Sequence, residues 1–350
     1  MGWIKKHRNG LVITGSLAVL AYILGFRLDF NLLLPMLMTL KMRYFFLAFG
    51  LMFGFWMLES WMIGILVATV ENHKDAAFFK KLPWLAVKTT LVGQYYSNIT
   101  PFASGGQPMQ LLLLRKGNVS LTNGTAVLVA KFLVYQVTVT LYALILSLTH
   151  YNWITEMAPA VRLLLGIGFG INLVGLMVVI ILAFWPRGFQ HIIDGILNLL
   201  TKLSWMRSKE RFSAKTQKFL SDYSQGLDKL RQSPKQTLLL WLLSVIQVTL
   251  FFGITVMIYK ALGLEGESLL KVITLQAVVY MCVSFIPIPG TVGASEIGFT
   301  SVLSTVFTQH LVGVAMVLWR LVSYYFSLLF CGLFTVAVTF FEAAPAESEG

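Results

Sequence analysis

Four ionisable residues stand where an apolar chain has little reason to carry them. Glu59 lies inside an apolar run at 44–70, Lys131 inside one at 119–149 and Arg320 inside one at 311–341, while Glu296 follows Pro289-Gly290-Thr-Val-Gly293-Ala-Ser295 in a fourth stretch. A charge facing lipid costs about 2.5–3.5 kcal/mol on insertion scales, so each needs a partner or a wet cavity. Two chemistries fit these types at these places. Glu59 could pair with Lys131 and Glu296 with Arg320 as a structural device. Alternatively, Lys131 and Arg320 line an internal site for an anionic headgroup, with Tyr135 and Tyr324 as hydrogen-bond donors. The two are compatible. Covalent catalysis finds no support: Gly293-Ala294-Ser295-Glu296 lacks the glycine that a nucleophile elbow places two residues after its serine, and no Walker pattern is present. The histidines (His7, His73, His150, His191, His310) are scattered without ligand spacing, and Cys282 and Cys331 sit in apolar segments. No catalytic residue, metal or cofactor is expected.

The elements that must hold these residues are membrane spans. Of 350 residues, 57% are hydrophobic and 12% charged, with a mean hydropathy of +0.76; a soluble domain is about 25% charged. Several apolar runs exceed the roughly 18 residues that mark a span. The fold class is therefore an all-α polytopic membrane protein. Six full spans are predicted, at about 11–26, 44–70, 119–149, 161–185, 236–259 and 311–341. Two further stretches, 84–116 and 272–308, are broken by Pro and Gly near their middles and read as re-entrant broken-helix hairpins. The net charge of +12 is assigned to loops facing anionic lipid rather than to nucleic acid. With a cytoplasmic N-terminus and hairpins that leave on the side they enter, basic residues number three before residue 10, six across 71–117 and ten across 186–235. Outer segments then hold six (Arg27, Lys41, Arg43, Arg162, Lys260, Lys271). This positive-inside bias puts both termini in the cytoplasm.

The broken stretches resemble each other. Pro101 to Gly105 and Pro289 to Gly293 have the same spacing, offset by 188, and Lys131, Tyr135, Thr138 and Tyr142 align with Arg320, Tyr324, Ser327 and Cys331 at an offset of 189. Steps of 4, 3 and 4 keep each quartet on one helical face. Two inverted-topology halves are predicted, about 10–149 and 161–341, within a single transmembrane domain spanning 1–341. Unpaired backbone survives in lipid only inside protein or along a wet cavity, so the breaks are candidate binding elements: Pro101, Gly105, Gly106 and Gln107 in the first, Pro289, Gly293, Ser295 and Glu296 in the second. Pro108 suits the start of a returning half-helix and Gly117 its stop. Free N–H groups at both half-helix starts would attract an anion. Glycines 105, 106 and 293 would admit a headgroup close to the backbone. Between the halves, 186–235 carries apolar residues at helical spacing (Phe189, Ile192, Ile193, Ile196, Leu197, Leu200) and reads as a cytoplasmic amphipathic basic segment on anionic lipid headgroups. Residues 342–350 read as a disordered acidic tail.

The segments Ser97-Asn98-Ile99-Thr100-Pro101 … Gly105-Gly106-Gln107-Pro108 and Pro287-Ile288-Pro289-Gly290-Thr291-Val292-Gly293-Ala294-Ser295-Glu296 resemble the signatures of the lysylphosphatidylglycerol synthase transmembrane-region family, the flippase-like module of the multiple peptide resistance factor. The resemblance covers about 5–341. It implies translocation of an anionic or aminoacylated phospholipid of the lysyl-phosphatidylglycerol class, or of a lipid-linked substrate, across the bacterial cytoplasmic (inner) membrane, and a role in antimicrobial peptide resistance. Gln107 stands where the resemblance implies an acidic residue. The full-length relatives carry a C-terminal synthase domain with no counterpart in these 350 residues. Two alternatives follow: lysyltransferase-related activity, as the family name implies, or a noncatalytic membrane partner for a separate synthase. A homo-oligomer is a further candidate partner.

Overall fold

A computed structural model describes residues 39–71, 74–184 and 232–343 of the chain. The first predicted span (11–26), residues 186–231 of the amphipathic basic segment and residues 344–350 of the acidic tail lie outside the described residues; Glu342 and Ala343, expected in the disordered tail, instead end the last helix. Within them the architecture is all helical. Helix α1 (Met42–Val70) is followed by α2 (Ala76–Asn98), a 3₁₀ turn (Pro101–Ala103), α3 (Gly106–Lys116) and α4 (Leu121–Thr149). A short α5 (Tyr151–Thr155) leads to α6 (Pro159–Phe184). The second set is α7 (Pro234–Ala261), α8 (Leu269–Val283), a 3₁₀ turn (Pro289–Thr291), α9 (Ala294–Leu303), α10 (Val312–Arg320), a π-helical segment (Leu321–Phe326) and α11 (Ser327–Ala343). Five stretches are long and apolar enough to cross a membrane: Met42–Val70, Leu121–Thr149, Pro159–Val178, Pro234–Ala261 and Val312–Phe340. These are the five spans expected after residue 39.

Local signals set the helix ends. Asp75 accepts the Phe78 N–H at 2.9 Å and Ser120 the Asn123 N–H at 3.1 Å, so each caps the helix it precedes. Helix α7 stops at Gly263 (φ +77°), where Leu264 N–H reaches back to the Tyr259 carbonyl, the left-handed stop a glycine allows. Helix α3 stops in the same way, but its left-handed residue is Asn118 (φ +63°), not Gly117. Gly117 is small for another reason: a Cβ there would collide with the Leu85 side chain. Helix α3 begins at Gly106, so Pro108 stands at its third position, where a missing N–H still costs nothing.

The two broken stretches are helical hairpins. Helix α3 folds back along α2, with Gly106 against Ser97 and the Gly93 carbonyl, Gln110 over Gly93, and Gly117 over Leu85. Helix α9 folds back along α8, where a Cβ on Gly298 would meet Val283 at 3.0 Å. Helices α1 and α7 run antiparallel through the middle, tied by Lys41 N–H to the Ala261 carbonyl (2.8 Å) and Gln247 Nε2 to the Phe55 carbonyl (3.4 Å). Buried Trp56 stacks on Phe330 (ring centroids 5.4 Å) and Phe326 (5.8 Å), joining α1 to the last span. The outer surface is apolar: Phe46, Trp61, Ile145, Val174 and Leu333 are each more than half exposed. Such residues are unfavourable in water and neutral against lipid tails, where helix association rests on close packing instead. The polar groups lie inside.

Candidate functional site

Each hairpin is interrupted by the same backbone device. Pro101 and Pro289 fix φ and open a 3₁₀ turn. The next residues, Phe102 (φ 54°, ψ 20°) and Gly290 (φ 58°, ψ 13°), are left-handed, as are Ala103 (φ 54°) and Thr291 (φ 51°). The preceding Thr100 and Ile288 are both extended. The paths then part: Ser104 is helical (ψ −19°) where Val292 is extended (ψ 136°), and Gly105 is right-handed (φ −80°) where Gly293 is left-handed (φ 87°). A left-handed conformation costs a residue with a Cβ about 1–2 kcal/mol, and among the described residues three of the four such positions are at these breaks. Strain held at corresponding places in two hairpins marks them as more than connections.

The two 3₁₀ turns touch, and beside them lies a cavity of about 530 Å³, within the roughly 300–1,000 Å³ of small-molecule sites. Of the residues singled out from the sequence, Glu59, Gln107, Lys131, Tyr135, Ser295, Arg320 and Tyr324 line it. Pro101, Gly105, Gly106, Pro289, Gly293 and Glu296 do not; they shape or brace the breaks behind it. The glycines explain why. A Cβ on Gly105 would meet Thr100 Cγ2 at 2.7 Å and the Tyr96 carbonyl at 3.1 Å, and one on Gly106 would collide with Ser97 Oγ. Their bare faces are filled by helix α2 and by Thr100 just beyond its end, which packs the hairpin closely there. Gly293 has open space around it.

Both ion pairs offered by the sequence form. Lys131 Nζ donates to Glu59 Oε1 at 2.5 Å and to Gln110 Oε1 at 3.0 Å, while Gln110 Nε2 donates to Glu59 at 3.2 Å. The Lys131 and Glu59 side chains are each 12% exposed. Arg320 Nε donates to Glu296 Oε1 at 2.6 Å and Nη2 to the Gly290 carbonyl at 2.9 Å. The guanidinium lies over the Tyr324 ring, 4.7 Å from its centroid, a cation–π arrangement. Glu296 Oε2 also accepts the Gly293 N–H at 2.5 Å, so the chain's own carboxylate occupies the start of α9. The two basic residues correspond in sequence, yet their carboxylates do not: one comes from the first span of its set, the other from a returning half-helix. The aligned quartets divide the same way. Lys131 with Tyr135 and Arg320 with Tyr324 reach the cavity; Thr138, Ser327 and Cys331 are buried in the core, and Tyr142 meets Thr249 Oγ1 at 3.3 Å.

Several cavity residues escape a reading based on charge. Gln110 bridges the first ion pair. Gly290 offers its carbonyl to Arg320, and a Cβ there would collide with the Tyr324 ring. Asn98, at the end of α2, donates to Ser327 Oγ at 3.0 Å and accepts from Gln94 at 3.3 Å, while its carbonyl accepts from Tyr324 OH at 3.4 Å. Gln136 donates to Asn172 at 2.7 Å, and Asn172 to Ser284 at 3.0 Å. Gln247 and Gln276 also line the cavity. A carboxamide inside an apolar run was the available signal, because it too needs a partner in lipid.

Fold and cavity together define a class: a multi-pass helical membrane protein with a polar chamber at the meeting point of two broken hairpins. The chain belongs to the family described as the lysylphosphatidylglycerol synthase TM region, whose profile matches residues 10–331. It is similar to a UPF0104 membrane protein of Archaeoglobus fulgidus, 23% identical over 297 residues that cover 81% of this chain and 83% of that protein. No solved structure matches the chain.

Proposed function

We propose that the protein translocates a phospholipid headgroup of the anionic, aminoacylated or lipid-linked class across the cytoplasmic membrane, using the central cavity as the headgroup site. The observation that carries the reading is a polar, ion-paired chamber of about 530 Å³ inside a bundle whose surface is apolar. A headgroup crossing the bilayer needs such a chamber, because each unsatisfied polar group in hydrocarbon costs several kcal/mol. The family description, which refers to a lysylphosphatidylglycerol synthase membrane region, supports a lipid substrate.

The chain is read as two halves of inverted topology, α1–α4 and α6–α11, with both termini cytoplasmic. Matching backbone angles at the two breaks support the pairing of the halves, and their contact near the cavity fits hairpins entering from opposite faces. The distribution of polar bonds suits rocking of one half against the other. Glu59, Gln110 and Lys131 all belong to the first half, and Glu296, Gly290 and Arg320 to the second. Bonds around the cavity that cross between halves are neutral: Asn98 to Ser327, Tyr324 to the Asn98 carbonyl, Gln136 to Asn172 and Gln247 to the Phe55 carbonyl. A neutral hydrogen bond contributes about 0.5–1.5 kcal/mol net, whereas separating a buried ion pair costs about 3–5 kcal/mol. Opening between the halves therefore leaves both buried ion pairs intact.

The test is lipid translocation in proteoliposomes, read as the loss of fluorescence when an impermeant quencher meets labelled lipid in the outer leaflet. Lys131→Ala and Arg320→Ala should slow translocation far more than Lys80→Ala, an exposed residue on α2. Equal rates for all three, at matched folding and insertion, would refute the cavity as the route.

A further inference from the structure

We infer that the cavity recognises its headgroup through hydroxyl groups, making the preferred ligand a lipid with a polyhydroxylated head (a sugar, inositol or glycerol) rather than one marked by an amine. The inference rests on the translocation reading of the same cavity and deepens it. Its warrant is the composition of the wall. Six glutamines and two asparagines line the chamber, together with five serine or threonine and three tyrosine hydroxyls. A carboxamide presents donors and an acceptor side by side, as a hydroxyl does, so the two match without any net charge. The charged residues do not compete for this role. Glu59 is neutralised by Lys131, and Arg320 by Glu296, which leaves an added ammonium with no uncompensated carboxylate among the described lining residues.

Unused hydrogen-bonding capacity points the same way. Gln247 is 2% exposed and its Oε1 has no partner among the described residues; Trp319, 5% exposed, has an equally unpartnered Nε1–H. Both residues line the cavity. Both atoms are sealed from the cavity and leaving them unpaired is costly, so a headgroup hydroxyl that draws either side chain round gains a partner there. Gln276 spends its Oε1 on Thr255 (2.8 Å) and keeps its amide donors. Arg320 uses two N–H groups on Glu296 and Gly290 and has others to offer a single phosphate. Phe102, Phe132, Phe251 and Trp319 add flat apolar surface, suited to the C–H face of a sugar or cyclitol ring.

The experiment is lipid competition by native mass spectrometry, on the full chain in a detergent without sugars. Glucosyl-diacylglycerol, phosphatidylinositol, phosphatidylethanolamine and lysyl-phosphatidylglycerol are supplied with matched acyl chains. The first two should bind about tenfold better than the amine-bearing pair, the worth of one or more extra neutral hydrogen bonds. Gln247→Leu should erase most of that preference, and so should Gln107→Leu, a safer change because Gln107 is exposed at the cavity. Binding of phosphatidylethanolamine should fall by a smaller factor than that of the polyol lipids in both. Equal binding of all four lipids, a preference for lysyl-phosphatidylglycerol, or full preference in both variants would overturn the inference. Methyl glucoside and myo-inositol, added free, should compete weakly; affinity equal to that of the lipids would overturn the assignment to a lipid head. Failure of translocation is distinguishable. Selective binding without movement would refute transport and leave the polyol site standing, whereas movement of all four lipids at one rate would refute the polyol site alone.

Discussion

Removing one charge from the Glu59–Lys131 pair should harm the fold more than removing both. In Lys131→Met the Glu59 carboxylate, 12% exposed, keeps only the Gln110 amide at 3.2 Å. Breaking a buried pair by deleting one partner costs about 3–5 kcal/mol, because the remaining charge is uncompensated. Glu59→Gln leaves Lys131 with the Gln110 oxygen at 3.0 Å and should cost a similar amount. In Glu59→Gln/Lys131→Met no charge remains, and the two amides at 59 and 110 can bond to each other. Replacing a buried pair by neutral groups is often close to neutral, so the double variant should fall within about 1 kcal/mol of the parent. The assay is reversible unfolding in mixed micelles, read as a double-mutant cycle, with Lys80→Ala as the exposed control expected to lie within ±0.5 kcal/mol. Strict additivity, with the double variant as damaged as the sum of the singles, would refute the account of this pair. The same variants separate scaffold from site: a stable double variant should lose lipid movement, since the cavity keeps its volume but loses two of its charges.

Other outcomes follow from the packing. Gly106→Ala should prise α3 from α2, because its Cβ meets Ser97 Oγ and the Gly93 carbonyl; a loss of about 1–3 kcal/mol is expected, against none for Gly175→Ala, which has open space around it. Gly290→Ala adds a clash with the Tyr324 ring to a φ of +58°, whereas Gly293→Ala carries only its φ of +87°. Thermal melting should rank Gly290→Ala well below Gly293→Ala, and the reverse order would contradict the geometry of the break. For topology, Asn152→Cys and Gly266→Cys should react with an impermeant thiol reagent from outside the cell and Ala77→Cys should not. The native Cys282 and Cys331 are buried and should stay silent; labelling of Ala77→Cys from outside would sink the inverted arrangement.

Membrane physics makes some features legible in a bare sequence. Hydrocarbon tolerates neither a lone charge nor an unpaired backbone, so Glu59, Lys131, Glu296, Arg320 and the two Pro–Gly breaks stand out against an apolar background. The spans after residue 39 and both hairpins follow from that contrast, as do the two ion pairs, since few opposite charges are available to choose from. What the one-dimensional pattern does not carry is which surface faces which. Gly105 and Gly106 look like room for a ligand until α2 is seen to fill it, and Gly290, one residue past a proline, gains its role only when Tyr324 and Arg320 arrive from thirty residues away. The matched Lys131 and Arg320 draw their carboxylates from non-corresponding elements, which no repeat alignment would reveal. The carboxamide wall is the clearest case. Gln136, Asn172, Gln247 and Gln276 come from four different helices, each unremarkable in its own run, and only packing gathers neutral polar groups that carry no long-range field into one chamber.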